Sequence, residues 1–133
     1  ALSDKTGFPA GELLFDIRRV RYLDGKPLIL DKNLFRADLV PGLTPEIASH
    51  SIYTYIEDTL GMTIVTSKRR MTVERATEED EVLLDLGDYN CLAVITSQTF
   101  NDNGIQLEYT VSRHHPERFC FEDTATRQRT TAR

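Results

Sequence analysis

A chain of 133 residues with 40% hydrophobic content is long enough to bury a core of its own as one domain. Its 21 acidic residues outnumber 16 basic ones, giving a net charge of -5, which argues against nucleic-acid binding through the overall field. No apolar run approaches the ~20 residues that span a bilayer, and the opening ALSDKTG lacks the apolar stretch of a signal peptide, so the chain reads as soluble and cytoplasmic.

Residues 1–11 read as an N-terminal loop punctuated by Gly7, Pro9 and Gly11, and a beginning this close to a strand predicts a fragment of a longer protein. Strands over about 12–22 and 26–35 follow, joined at Asp24-Gly25, the strongest hairpin signal in the chain. Alternation places Leu13, Phe15, Ile17, Arg19 and Arg21 on one face, so two guanidinium groups continue a face that begins as hydrocarbon. Such a group needs an anion, either an internal carboxylate such as Asp31 or a bound phosphate or carboxylate. A two-residue loop pairs Leu23 with Lys26 and sets Asp31 across from Arg18. A three-residue loop with a bulge sets it opposite Arg19.

Residues 36–50 read as a loop with at most a helical turn at Pro45–Ala48. Ser49 or Ser51 then caps a helix that ends at Gly61 and buries Ile52, Tyr55, Ile56 and Leu60. Tyr53 lies off that stripe, beside the helix start, where free amides make a capping site or an anion site. A strand over about 62–75 is expected to break at SKRR. In ATEEDEVLLDLG, Thr77 caps a helix with Asp80 in the capping-box position, Val82, Leu83 and Leu86 bury one side, and Gly87 ends it.

Strands over about 90–101 and 105–114 flank a turn at Asn101–Gly104. The last strand carries Gln106, Glu108, Thr110, Ser112 and His114 on one face, which is either solvent-facing, the commoner case, or the wall of a polar pocket. A short strand over 118–122 and a flexible tail over 123–133 complete the chain. Cys91 and Cys120 have no metal spacing and read as buried free thiols, with a disulfide left open, and the histidines show no ligand spacing. The basic clusters Lys68–Arg70 and Arg127–Arg133 read as a solvated strand edge and part of the tail. The order implies an α+β domain over 1–133 with a mainly antiparallel sheet and its helices packed on one face. There is no phosphate-cradling glycine loop, GxSxG or HExxH, so binding without catalysis, metal or cofactor is the expectation.

Three segments, IRRVRYLDGKPLILDKNLF, SIYTYIEDTLG and LEYTVSRHHPERFCF, in this order, resemble the UTRA effector-sensing domain of GntR-type, HutC-like transcription regulators. Within that family SRHHPERFCFEDTATRQ is most similar to the trehalose operon repressors. The resemblance implies a chorismate-lyase-like fold and a homodimer. It implies a DNA-binding winged helix-turn-helix absent from this chain, and a sugar phosphate effector, here trehalose 6-phosphate, that releases operator DNA. It assigns phosphate binding to Arg19 and Arg21 with Ser51 and Tyr53, and sugar contacts to Asp31 and Glu108. Asp31 stands where relatives commonly carry Glu, and His114 where amino-sugar-responsive relatives carry an aromatic residue. A strand that precedes these segments in the family, with its phosphate contact, is expected to be missing. The alternatives carried are a sensor for another sugar phosphate, such as glucosamine 6-phosphate, and a chorismate-lyase-like enzyme.

Overall fold

The computed structural model describes residues 5–127. Five strands, β1 (Leu14–Leu23), β2 (Lys26–Arg36), β3 (Ile64–Arg75), β4 (Cys91–Asn101) and β5 (Gln106–His114), form one sheet in the order β1-β2-β5-β4-β3. Every pairing is antiparallel. The helical segments are α1 (Pro45–Ala48), α2 (Ile52–Thr54, prolonged by a π-helical turn Tyr55–Thr59) and α3 (Glu78–Leu84).

The opening hairpin combines both expected registers. Asp24 and Gly25 have φ of 51° and 78°, the signature of a two-residue turn whose twist matches the strands, and Leu23 pairs with Lys26. A bulge between Arg21 and Tyr22 then shifts the pairing by one residue, because Tyr22 faces Pro27 while Arg21 faces Ile29. Proline lacks the amide needed to continue the ladder, so the strand adjusts here. The result sets Asp31 opposite Arg19.

From that register the two faces of the sheet follow. One carries Phe15, Ile17, Phe35 and Leu107, on which α1 and α2 pack through Ala48, Ile52 and Ile56. The other carries Val20, Leu30, Leu92 and Val94, covered by Leu84 and Leu86. The helices therefore flank both faces, not one. A single helical layer cannot cover both apolar sets of a sheet whose central strands alternate.

α3 is held by two devices. Thr77 Oγ1 accepts from the Asp80 amide at 3.2 Å and the Asp80 carboxylate accepts from the Thr77 amide at 2.9 Å, a capping box worth ~1 kcal/mol. Arg113 of β5 reaches across and donates to both oxygens of the wholly buried Asp80, at 2.8 and 2.9 Å. This pair phases the helix so that Leu84 is buried and Val82 is 81% exposed; of the expected stripe, Leu86 and the partly buried Leu83 pack in the core and Val82 does not. The helix ends at Asp85, which takes the left-handed conformation (φ 47°) before Gly87 is reached.

Three further expectations change. β3 is continuous through SKRR, since an edge strand pairs on one side only, with β4, and leaves its basic side chains solvated. Residues 118–122 form no strand: His115 caps a short 3₁₀ turn at Pro116–Arg118, and no regular structure follows to residue 127. Cys91 is half-buried and Cys120 exposed, both as free thiols. Leu13 precedes β1 and is 76% exposed. Within the opening loop Thr6 and Phe8 are buried, and Gln98 and Gln106 both donate to the Thr6 carbonyl, at 3.1 and 2.8 Å. The tail beyond residue 127 and residues 1–4 lie outside the described residues.

Candidate functional site

Register dictates what shares a face. Arg19, Asp31, Ser112 and Ile95 stand in one row across β1, β2, β5 and β4, and Asn33, Thr110, Ser97 and Arg69 in the next row across β2, β5, β4 and β3. Phe35, Glu108, Thr99 and Ser67 complete the floor. A cavity of about 470 Å³ opens above these rows, roofed by His50, Ser51, Ile52 and Tyr53 at the start of α2. Its size lies in the range typical of small-ligand sites, roughly 300–1,000 Å³. The polar face of β5 is thus the wall of a pocket and not a solvated surface.

Of the seven residues singled out from the sequence, six line this cavity: Arg19, Arg21, Asp31, Ser51, Tyr53 and Glu108. His114 does not. It pairs with Ile29 and Ala93 one row beyond Asp31, and its ring meets Phe119 edge-on at 5.1 Å between centroids. Burial pushes its imidazole below the ordinary range and Arg21 adds to the shift, against the pull of Asp31.

The two carboxylates are both buried. Asp31, 4% exposed, accepts from Ser112 Oγ at 2.6 Å and from Arg21 Nη1 at 3.4 Å. Arg21 is mostly solvated, so this ion pair contributes only ~0–1 kcal/mol. Glu108, 1% exposed, accepts from Asn33 Nδ2 and Thr110 Oγ1, each at 2.7 Å, and from the Tyr53 hydroxyl. Burial raises the Tyr53 phenol above its usual range, and the Glu108 charge beside it raises it further.

Arg19 behaves differently from its neighbour. Its Nη1 donates to the Ala48 carbonyl at 3.3 Å, which holds the side chain against the end of α1. Its Nε is buried with no partner, and so is Asn33 Oδ1; no other buried side-chain nitrogen or oxygen among the described residues is left this way. An unpaired buried donor costs ~1–3 kcal/mol. Arg19 and Asn33 both line the cavity, so the two unpaired groups belong to residues of one site. Ser51 caps α2, its Oγ accepting from the Thr54 amide at 3.2 Å and the Thr54 hydroxyl at 2.9 Å.

Sequence reasoning missed Asn33, Arg69, Ser97 and Thr99. Their signal was alternation on β2, β3 and β4, legible only once these strands are known to share one sheet. Among the described residues no group of three or more His, Cys, Asp or Glu is placed to hold a metal ion, and no helix is long and apolar enough to cross a membrane. A groove of about 560 Å³ on the opposite face is lined by Lys68, Arg70, Glu74 and Tyr109 and bordered by Arg69, without a buried unpaired group.

Comparison with known proteins agrees with this architecture. The chain is 40% identical over 114 residues to the HTH-type transcriptional regulator TreR of Bacillus subtilis, covering 86% of this chain and 48% of that protein. It is 27% identical over 115 residues to the mannosyl-D-glycerate transport/metabolism system repressor MngR of Escherichia coli, again covering 86% and 48%. The chain thus spans about half the length of these relatives. Among solved structures, the effector binding domain of the B. subtilis trehalose repressor superposes with a TM-score of 0.87 at 35% identity, covering 96% of this chain and 89% of that one. The B. subtilis regulator YydK superposes with a TM-score of 0.86 at 27% identity, covering 94% and 55%. The UTRA domain model matches residues 1–120, and the chain belongs to the UTRA domain family.

Proposed function

We propose that this chain is the effector-sensing domain of a GntR-type transcription repressor and that its effector is a phosphorylated sugar, trehalose 6-phosphate. The observation that carries the reading is the buried, partnerless Nε of Arg19, beside Arg21, at one end of a cavity whose lining includes the buried carboxylates of Asp31 and Glu108 and several hydroxyls. A guanidinium is suited to bidentate phosphate recognition, and Ser51 with the amides at the start of α2 adds donors on the same side. Asp31, Glu108 and the free Asn33 Oδ1 accept from sugar hydroxyls, with Tyr53 turning from Glu108 toward the ligand. His114 acts at one remove, through the field it shares with Asp31 and Arg21. The likeness to the trehalose repressor of B. subtilis supports the choice of sugar.

In the full-length regulator a winged helix-turn-helix precedes this domain, the protein acts in the cytoplasm as a homodimer, and the effector shifts operator affinity by binding two dimer arrangements unequally. The reading is tested by calorimetry with trehalose 6-phosphate, trehalose and glucosamine 6-phosphate. Trehalose 6-phosphate binds tightest. Arg19→Ala together with Arg21→Ala weakens it ~100-fold or more, since each hydrogen bond to a charged group contributes ~1.5–3 kcal/mol. Undiminished binding by the double variant overturns the phosphate site, preference for glucosamine 6-phosphate reassigns the effector, and turnover of chorismate moves the chain to the lyase class.

A further inference from the structure

Arg69 has no assigned role, and as one of three consecutive basic residues on an edge strand it would pass for a solvated charge. Lys68 is engaged on the other face, over the Phe100 ring at 5.3 Å from the centroid, and all three basic residues border the groove there. Arg69 itself pairs with Ser97 and so shares the cavity face with Thr110 and Asn33. It lines this cavity as well, yet among the described residues its side chain donates no hydrogen bond and forms no ion pair. It lies close enough for its charge to act on the Tyr53 phenol, which is bonded to Glu108.

The position of Arg69 carries the consequence. Arg19 belongs to β1 and Arg69 to β3, the two edges of the sheet. Four interstrand gaps of about 4.8 Å separate their backbones by roughly 19 Å. The floor between them is mostly acceptors and hydroxyls, Asp31, Asn33, Ser112, Thr110 and Ser97, with Ile95 beside Ser112. A ligand whose anion is held at the Arg19 end meets Arg69 only if it extends across that floor.

We infer that Arg69 is a specificity-determining contact, donating to the distal ring of a two-ring phosphorylated sugar whose phosphate is held by Arg19 and Arg21. This rests on the effector reading above and adds the extent of the ligand and the residue that measures it. A one-ring sugar phosphate fills the Arg19 end and leaves Arg69 in solvent. A two-ring sugar phosphate engages both.

The test is calorimetry on Arg69→Ala and Arg19→Ala with trehalose 6-phosphate and glucose 6-phosphate, neither residue being part of the buried core. Arg69→Ala is expected to weaken trehalose 6-phosphate about 10- to 100-fold, the loss for a hydrogen bond to a charged group, and glucose 6-phosphate less than about twofold. Arg19→Ala is expected to weaken both. Arg69→Lys restores part of the loss if a single donor suffices. Equal losses for both sugars on Arg69→Ala overturn the distal assignment while leaving the phosphate site standing, and so does no loss for either. If the unaltered chain binds neither sugar phosphate, the effector reading and this inference fall together.

Discussion

Replacing Arg113 with methionine keeps most of the side-chain stem and removes the cation from a wholly buried carboxylate. Arg113 donates to Asp80 at 2.8 and 2.9 Å and to Glu74 at 3.2 Å, and Asp80 has no exposed surface. Breaking a buried pair on one side costs ~3–5 kcal/mol, because the remaining charge stays desolvated. Asp80 keeps its bond from the Thr77 amide, so the lower end, about 3 kcal/mol, is the expectation. Against a total of ~5–15 kcal/mol this is a large fraction, and urea denaturation at pH 7 would show a lower midpoint with an unchanged slope.

The pH dependence gives an independent check. Burial alone would raise the Asp80 carboxyl, but the hydrogen bonds from Arg113 and Thr77 hold it below its ordinary value. In the unaltered chain it therefore contributes stability that is present above the unfolded carboxyl pKa and lost as pH falls through the folded one. In Arg113→Met burial prevails and the folded carboxyl rises above the unfolded value. The penalty is then full at neutral pH and relieved on acidification, so the gap between the two proteins narrows from pH 7 toward pH ~4. Asp80→Asn combined with Arg113→Met should cost less than the single losses added together. A loss at pH 7 below about 1 kcal/mol, or a gap that does not narrow with acid, would refute the role given to this pair.

Two other outcomes are expected. In an alkaline absorbance titration Tyr53 and Tyr109 ionise late, both held up first by burial and then by Glu108 and Glu74 respectively, and Tyr53→Phe removes one of these late transitions. Gly42→Ala destabilises by more than ~1 kcal/mol, since φ is 76° and the added Cβ meets the Tyr55 hydroxyl at 2.7 Å, displacing its 2.6 Å bond to the Pro41 carbonyl; thermal denaturation reads the loss.

Local chemistry alone determined a good part of this molecule. Asp24-Gly25 specifies a turn through its positive φ values, Thr77 and Asp80 specify a capped helix, and alternation specifies strands, because each needs only neighbours within a few residues. Arg19 and Arg21 stood out as a candidate anion site because guanidinium on a hydrocarbon face is costly wherever it sits. What sequence could not supply was the partner of each face. A polar strand face looks the same whether it meets water or a cavity, and for β5 only the α2 roof decides between the two. The register of Asp31 depended on a bulge induced at Pro27, and the phase of α3 on a bidentate bond from a residue 33 positions away. Arg69 entered the site only because β3 pairs with β4 and β4 in turn joins β5 and β2, which sets Arg69 in the row of Ser97, Thr110 and Asn33. Tertiary structure decided these points because face, register and helix phase are settled by contacts between residues remote in sequence, whose energies outweigh local preference.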